Sequence, residues 1–585
     1  MVFRVRKRLY AAILLALCLS TLVLSQLALT YAHNDKKCVI VYFLAYEKRE
    51  HRGSVVRGVV CVEPSKNLSV SIVGAGYGPS VIDSFIVALK TVARLCYPRV
   101  SKLHVIVKLP QGFYIKGASG SLLLTMAVLK LLGISVRGNP LSGTGVVSID
   151  GFVDPVGAVY YKLMAARKSG VKDVYVPLLN FAEAHNFTHM HIHYVDTILY
   201  FCSNHNASTA KSLSINETVL NKLYTIFLND SKKFLLKADK YYRMLPNRER
   251  ESLSSYYATI TKAINTTLKL HHYYSAASLS FSLYITVLSR YLRYSNTTFL
   301  QKLVHSAIDR ANSIYSKLLH TKTISIDAIP YLIVILDRIK DALYYANVFE
   351  NLTSFPIPSG TRSASLVALA SYAYARSLTI ATWFKALKIV NSSSESRLVS
   401  TKLALEVSWR VLDLVSNTIE LSTAYSPLSL DAIATTRSYL ASLNNVSIAE
   451  KVLRDLRTLL RLNLENLTPT QRILPYLYML YGDDLRKYTN ESVGTQIMFY
   501  SLANLVASAA IEIINGIELS IHRPSIPRTI SISVNISKTE MLISAFTVMV
   551  LITSLALLLL EIIEKRFGRA SNTRTLHFST HSLPH

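Results

Sequence analysis

The chain has 585 residues, which leaves room for two to four domains. Its formal charge is +28, and hydrophobic segments near both ends put most of it outside a membrane. There, nucleic acid is excluded as the expected partner, and anionic lipid headgroups, acidic surface glycans or an acidic cell-wall layer suit the charge. Five cysteines without a CxxC pair or a Cys/His zinc spacing give no signal for a metal site.

The first apolar segment is LYAAILLALCLSTLVLSQLALTYA, Leu9–Ala32, preceded by Arg4, Arg6, Lys7 and Arg8. A basic leader, an apolar stretch and a small residue at Ala32 fit a signal peptide, and the length equally fits an uncleaved N-terminal membrane anchor. Both readings stand for residues 1–32. The second segment, Met541–Leu560, has twenty residues without a charge. At about 1.5 Å per residue, such a transmembrane helix covers roughly 30 Å of hydrocarbon. Lys565, Arg566 and Arg569 follow it. With the basic N-terminus they put both ends on the cytoplasmic side, so residues 33–540 are expected to be extracytoplasmic and 561–585 to form a cytoplasmic tail.

Thirteen asparagines begin N-x-S/T without proline: 67, 186, 206, 216, 229, 265, 296, 351, 391, 445, 466, 490 and 535. They read as glycosylation acceptors of an archaeal or eukaryotic glycoprotein, with simple Ser/Thr richness as the alternative. Cys18 lies in the leader. Cys38, Cys61, Cys96 and Cys202 remain as disulfide candidates, with three possible pairings, or as buried thiols.

Fifteen of the twenty glycines fall between Gly53 and Gly170. The same region carries strand-like runs at 38–46, 53–63, 68–74, 102–110, 145–151, 173–177 and 189–195, with helical stretches at 79–96, 119–132 and 156–169. This predicts one α+β domain over 33–203. Beyond it, apolar residues recur every three or four positions, broken at Pro246, Asn296, Pro330, 354–360, 424–431 and Pro475. The pattern predicts a large all-α domain over 204–530, a bundle or solenoid of eight to twelve helices, with tyrosine pairs such as Tyr241–Tyr242 at helix crossings.

Within the α+β domain, KGASGSLLLTMAVLKLLG (116–133) sets four small residues before an apolar run. Ser119 fits a helix cap there, and it also fits a nucleophile at a helix start. Downstream, LSGTGVVSIDGFVDPVGAVYYKLMAARKSGVKDVYVP (141–177) places Lys162 inside an otherwise apolar helical face. Such a lysine either reaches water at a helix edge or serves as an internal base, since burial favours a neutral amine.

These blocks resemble the proteolytic domain of the Lon-type serine protease family. GASGS resembles its nucleophile turn with Ser119 at the serine position, GTG (143–145) its Thr-Gly segment, and DPVGAVYYKLMAARKSGVKDVYVP the segment bearing its base lysine. Ser119 and Lys162 lie 43 residues apart, the family's spacing. IHYVDTILYF (192–201) resembles the family's last strand and helix. The resemblance covers about residues 35–203 and implies a Ser-Lys dyad of Ser119 and Lys162. Thr144 would hold the lysine amine, and Gly117 and Gly120 would support the turn whose N–H groups face an oxyanion. Three positions depart from the family: Lys116 and Val146 stand where acidic residues are usual, and Ala118 replaces proline.

No G-x-x-x-x-G-K-[ST] occurs in this sequence, so the family's AAA+ ATPase module is missing from it. The expected function is therefore an ATP-independent, membrane-anchored serine endopeptidase acting on extracytoplasmic proteins or peptides, without cofactor or metal. The resemblance also implies a homo-oligomer, a hexameric ring being the family's habit. The alternative is a catalytically lapsed Lon-like scaffold whose helical domain carries the function. His189, His191 and His193 alternate, and read as surface histidines rather than metal ligands.

Overall fold

Alternating apolar residues open the structure as a long hairpin, β1 (Lys37–Glu47) antiparallel to β2 (Arg52–Pro64). The computed structural model describes residues 37–202, 213–353, 362–417, 429–489 and 491–522. The leader 1–32, the apolar segment 541–560, the tail 561–585 and the break at 354–360 lie outside the described residues. Five shorter strands complete the sheet: β3 (Ser69–Val73), β4 (Leu103–Lys108), β5 (Leu141–Gly143), β6 (Asp173–Pro177) and β7 (His191–Val195). The order is β7-β6-β5-β1-β2-β4-β3, antiparallel at β1–β2 and β2–β4 and parallel elsewhere.

The sheet separates two cores. Val41, Phe43, Val60 and Val62 face α1 (Pro79–Leu95) and α2 (Ser121–Leu131), in a core that continues into the helical region. Leu44 faces α3 (Val159–Lys168), where Val159, Leu163 and Ala166 form a smaller core with Val174 and Val176. Period-2 alternation on β1 sends neighbouring residues to opposite sides. Gly53 lets α3 approach closely, because a Cβ there would lie 2.0 Å from the Tyr161 carbonyl oxygen.

Two expected elements differ. The run 145–151 is not a strand of the sheet. Val146–Val147 instead pair with Val153–Asp154 in a two-residue antiparallel ladder whose tip carries Asp150 and Gly151. Gly145, at φ 157°, turns the chain out of the sheet, and Gly151, at φ 92°, closes the tip. After β7, the expected helix is a single 3₁₀ turn, Ile198–Phe201.

Disulfides join Cys38 to Cys61 and Cys96 to Cys202. The first links residues directly opposite on β1 and β2. The second closes a loop of 106 residues.

Among the described residues, eleven helices follow between Glu217 and His522. Tyrosine pairs stand where they cross: Tyr242 stacks on Tyr257 at 4.1 Å, and Tyr241 meets Tyr291 at 5.1 Å. Pro330 and Pro475 sit in the first turns of their helices, where a missing N–H costs nothing. Three sequon asparagines, Asn216, Asn296 and Asn445, are helix N-caps whose side chains accept a backbone N–H. One helix among the described residues, over Val493–Leu519, is long and apolar enough to cross a membrane. Most of its surface is buried among the helices Leu430–Leu443, Val446–Glu465 and Ile473–Thr489, as an all-round apolar core helix should be.

The seam between sheet and helices is polar at its centre. Arg94 of α1 donates to Asn463, and Lys451 pairs with both Asp196 and Asp455. Arg437, fully buried on Leu430–Leu443, donates to both carboxylates of the ladder, Asp150 at 2.6 and 3.1 Å and Asp154 at 2.7 and 2.9 Å.

Closing a loop of about 100 residues removes on the order of 4 to 5 kcal/mol of unfolded-state entropy. Replacing Cys96 and Cys202 together by serine should lower the chemical-denaturation stability by about 2–5 kcal/mol. An unchanged midpoint would show that this bond does not constrain the unfolded chain. Asp196 carries a second test. Burial, together with Asp455 beside it, pushes the Asp196 carboxyl up to about 7 against the pull of Lys451. An acid with a raised folded pKa holds a proton that the unfolded chain releases, so its contribution declines as pH rises from about 4 to about 7. Asp196→Asn should flatten that part of the stability–pH curve, measured as urea midpoints at pH 5 and pH 7.5. Equal slopes in the two proteins would assign the proton elsewhere.

Candidate active site

The turn before α2 is built from small residues because the chain crosses from one core to the other there. Gly117 takes φ 97°, a left-handed conformation that favours glycine. Ala118 is buried in the smaller core. Gly120 approaches the larger one, where an added Cβ would stand 3.2 Å from the Phe43 ring and 3.4 Å from Phe85. Ser119, between them, is half-buried. The helix N-cap is Gly120, without a side-chain capping bond, and every residue from Ser121 to Leu129 is buried.

Two backbone bonds tie this turn to the chain leaving β5. The Gly145 N–H donates to the Ser119 carbonyl at 2.8 Å, and the Leu122 N–H donates to the Gly145 carbonyl at 3.1 Å. Thr144 is held in turn by its N–H to the Tyr175 carbonyl on β6, at 2.9 Å. Its hydroxyl accepts a hydrogen bond from Lys162 Nζ at 3.2 Å. Thr144 and Lys162 are 1% and 4% exposed, so both polar ends lie away from bulk water. The Ser119 backbone, the Thr144 hydroxyl and the Lys162 amine thus converge beyond the C-terminal end of β5.

The start of α3 aims Lys162. Ala158 adopts φ 58°, which costs a non-glycine residue about 1 kcal/mol. Glu183 accepts the Val159 N–H at 3.2 Å, and Asn180 exchanges two bonds with the Val156 backbone, at 3.0 and 2.9 Å. Neither Asn180 nor Glu183 was singled out from the sequence. Their N-x-x-E spacing is a capping signal, but the pair serves α3 rather than the helix it belongs to.

The neighbouring serines have structural duties. Ser121 is fully buried and accepts the Val147 N–H at 3.0 Å, and Ser142 donates to the Tyr42 carbonyl at 3.3 Å. Lys116 is exposed, and Val146 is buried in the smaller core. His191 and His193 both face Asp173 on the adjacent β6, at 3.5 and 3.1 Å. The hydrogen bond from His193 leads in holding the Asp173 carboxyl below its ordinary range. Among the described residues, no group of three His, Cys, Asp or Glu side chains is placed to hold a metal ion.

The arrangement has the parts of general-base chemistry: a half-buried hydroxyl residue at a helix start and a shielded amine fixed by a threonine. Residues 83–199 match the family model of the Lon protease (S16) C-terminal proteolytic domain. That span contains Ser119, Thr144 and Lys162. The chain is also 25% identical over 132 residues to Lon protease 2 of Bacillus subtilis (strain 168), over 22% of this chain and 23% of that protein. The match therefore spans less than a quarter of the relative's length, and a Lon-like proteolytic domain is what this part of the chain resembles.

Proposed function

We propose that the chain is an ATP-independent serine endopeptidase, anchored in a membrane and acting on extracytoplasmic proteins or peptides, with Ser119 as nucleophile and Lys162 as general base. The observation that carries the reading is the shielded Lys162 amine on Thr144, one residue from the backbone bond between Gly145 and Ser119. Ser119 attacks the scissile carbonyl while neutral Lys162 takes its proton, giving an acyl-enzyme. Lys162 then returns that proton to the departing amine and activates the water that releases the acyl group. N–H groups at the start of α2, the positive end of the helix, stabilise the oxyanion. Thr144 keeps the amine directed. Likeness to a serine peptidase domain supports the activity in general. The basic flanks and the apolar segments 9–32 and 541–560 support the anchoring. A homo-oligomeric ring is carried over from the family likeness alone.

Cleavage of unfolded casein without ATP, by purified residues 33–537, tests the proposal. Ser119→Ala and Lys162→Ala should each abolish turnover, and Thr144→Val should slow it by about tenfold, in the range one positioned hydrogen bond contributes. A wild-type protein that is folded yet inactive would sink it and favour the scaffold reading, and a Ser119→Ala variant that still cleaves would take the nucleophile's role away from Ser119. Because the base must be neutral, kcat should rise with pH along one ionisation. A flat profile would speak against a lysine base.

A further inference from the structure

We infer that Arg437 of the helical region is a positioning residue for the Ser119–Lys162 site, so that the helical region completes the active site rather than only adjoining it. The inference rests on the reading of Ser119 and Lys162 as that site. The chain between Thr144 and Lys162 carries both carboxylates that Arg437 binds. The ladder sets Asp154 directly opposite Val146, two residues beyond Thr144. Asp150 sits at the tip, where Asn463 of the helical region also donates to its carbonyl, at 3.3 Å. On the return limb, seven residues separate Asp154 from Lys162, and they are fixed further by Asn180 and Glu183. One guanidinium thus pins the tip and the return limb of the backbone running directly from the threonine to the lysine, and the ladder ties the outgoing limb to that return limb.

The chemistry of the clamp is specific. The planar guanidinium donates in four bonds to two carboxylates, a geometry that a lysine ammonium does not reproduce. Its face lies 4.4 Å from the Phe152 ring, between the two aspartates in sequence. Burial opposes the charge on Arg437, but the two aspartates outweigh it and hold it more firmly protonated than usual. Without it, two carboxylates stand together away from water, and they separate or take up protons. Either response moves the ladder, and a displacement of about 1 Å in a reacting group reduces rate by roughly a hundredfold.

Peptide cleavage kinetics, and the rate at which a fluorophosphonate labels Ser119, test this in the full chain. Arg437→Met should reduce kcat and the labelling rate at least tenfold with KM within about twofold, and Arg437→Lys should fall between it and wild type. Lys90→Ala, which breaks a surface pair with Glu512 on the same seam, should match wild type. If Arg437→Met fails to fold, Arg437→Met with Asp150→Asn and Asp154→Asn removes the unpaired charges. Folded by circular dichroism, that triple variant should remain at least tenfold slow, because no fork holds the ladder. An active wild type alongside an equally active, folded Arg437→Met or triple variant overturns the inference alone. A wild type that neither cleaves nor labels at Ser119 overturns the reading of the site and the inference with it.

Discussion

A guanidinium removed from water has to be answered by opposite charge, and Arg437 is answered by two carboxylates from the other part of the chain. That requirement dictates how the two parts meet. Breaking a buried pair by removing one partner costs about 3–5 kcal/mol, far more than forming the pair contributes. The seam therefore has one low-energy arrangement, with Asp150 and Asp154 presented together and Phe152 against the guanidinium. Nearby, Lys451 with Asp196 follows the same logic with smaller stakes, whereas Arg94 donates to neutral acceptors, Asn463 and the Ile149 carbonyl.

The second organising element is the sheet as a partition. Helices α1 and α2 belong to a core that runs without interruption into the helical region, whereas α3 stands on its own small core. The helix after the serine and the helix bearing the lysine are thus anchored in different bodies of packed side chains, and the serine turn, with Ala118 in the smaller one, bridges the two. At the end of β5, Thr144 bonds to the lysine and Gly145 to the serine turn. A site assembled at such a junction gains rigidity from two sides and answers to changes in either.

Much of this was legible in the sequence. Alternation marked β1 and β2, glycine density marked the extent of the α+β part, and the order of small turn, threonine and lysine marked the convergence at β5. Four things were not. Strand β5 is three residues long, too short for any periodic signal, yet it is the link between β1 and β6. The run 145–151 alternates like a strand, but glycines at 145 and 151 divert it into a ladder against the helical region. Arg437 lies 283 and 287 residues from its partners, and a lone arginine in an amphipathic helix looks like any solvated charge. The carboxylate facing His191 and His193 was missed for the same reason: Asp173 is a neighbour only across two parallel strands.

The bond between Cys96 and Cys202 has a consequence of topology. Ser119, Thr144 and Lys162 all lie between these two cysteines, so the segment bearing them is a covalent ring rather than a stretch of open chain. If the chain is the peptidase proposed above, self-digestion is a standing hazard, and a single cut inside that ring leaves both pieces attached to each other and to the rest of the molecule. A cut between Cys202 and Arg437 is different in kind, since it severs the backbone to Arg437 and leaves that arginine held to the site by noncovalent contacts alone. Oxidation thus divides the chain into a region where a nick is tolerated by connectivity and a region where it is not.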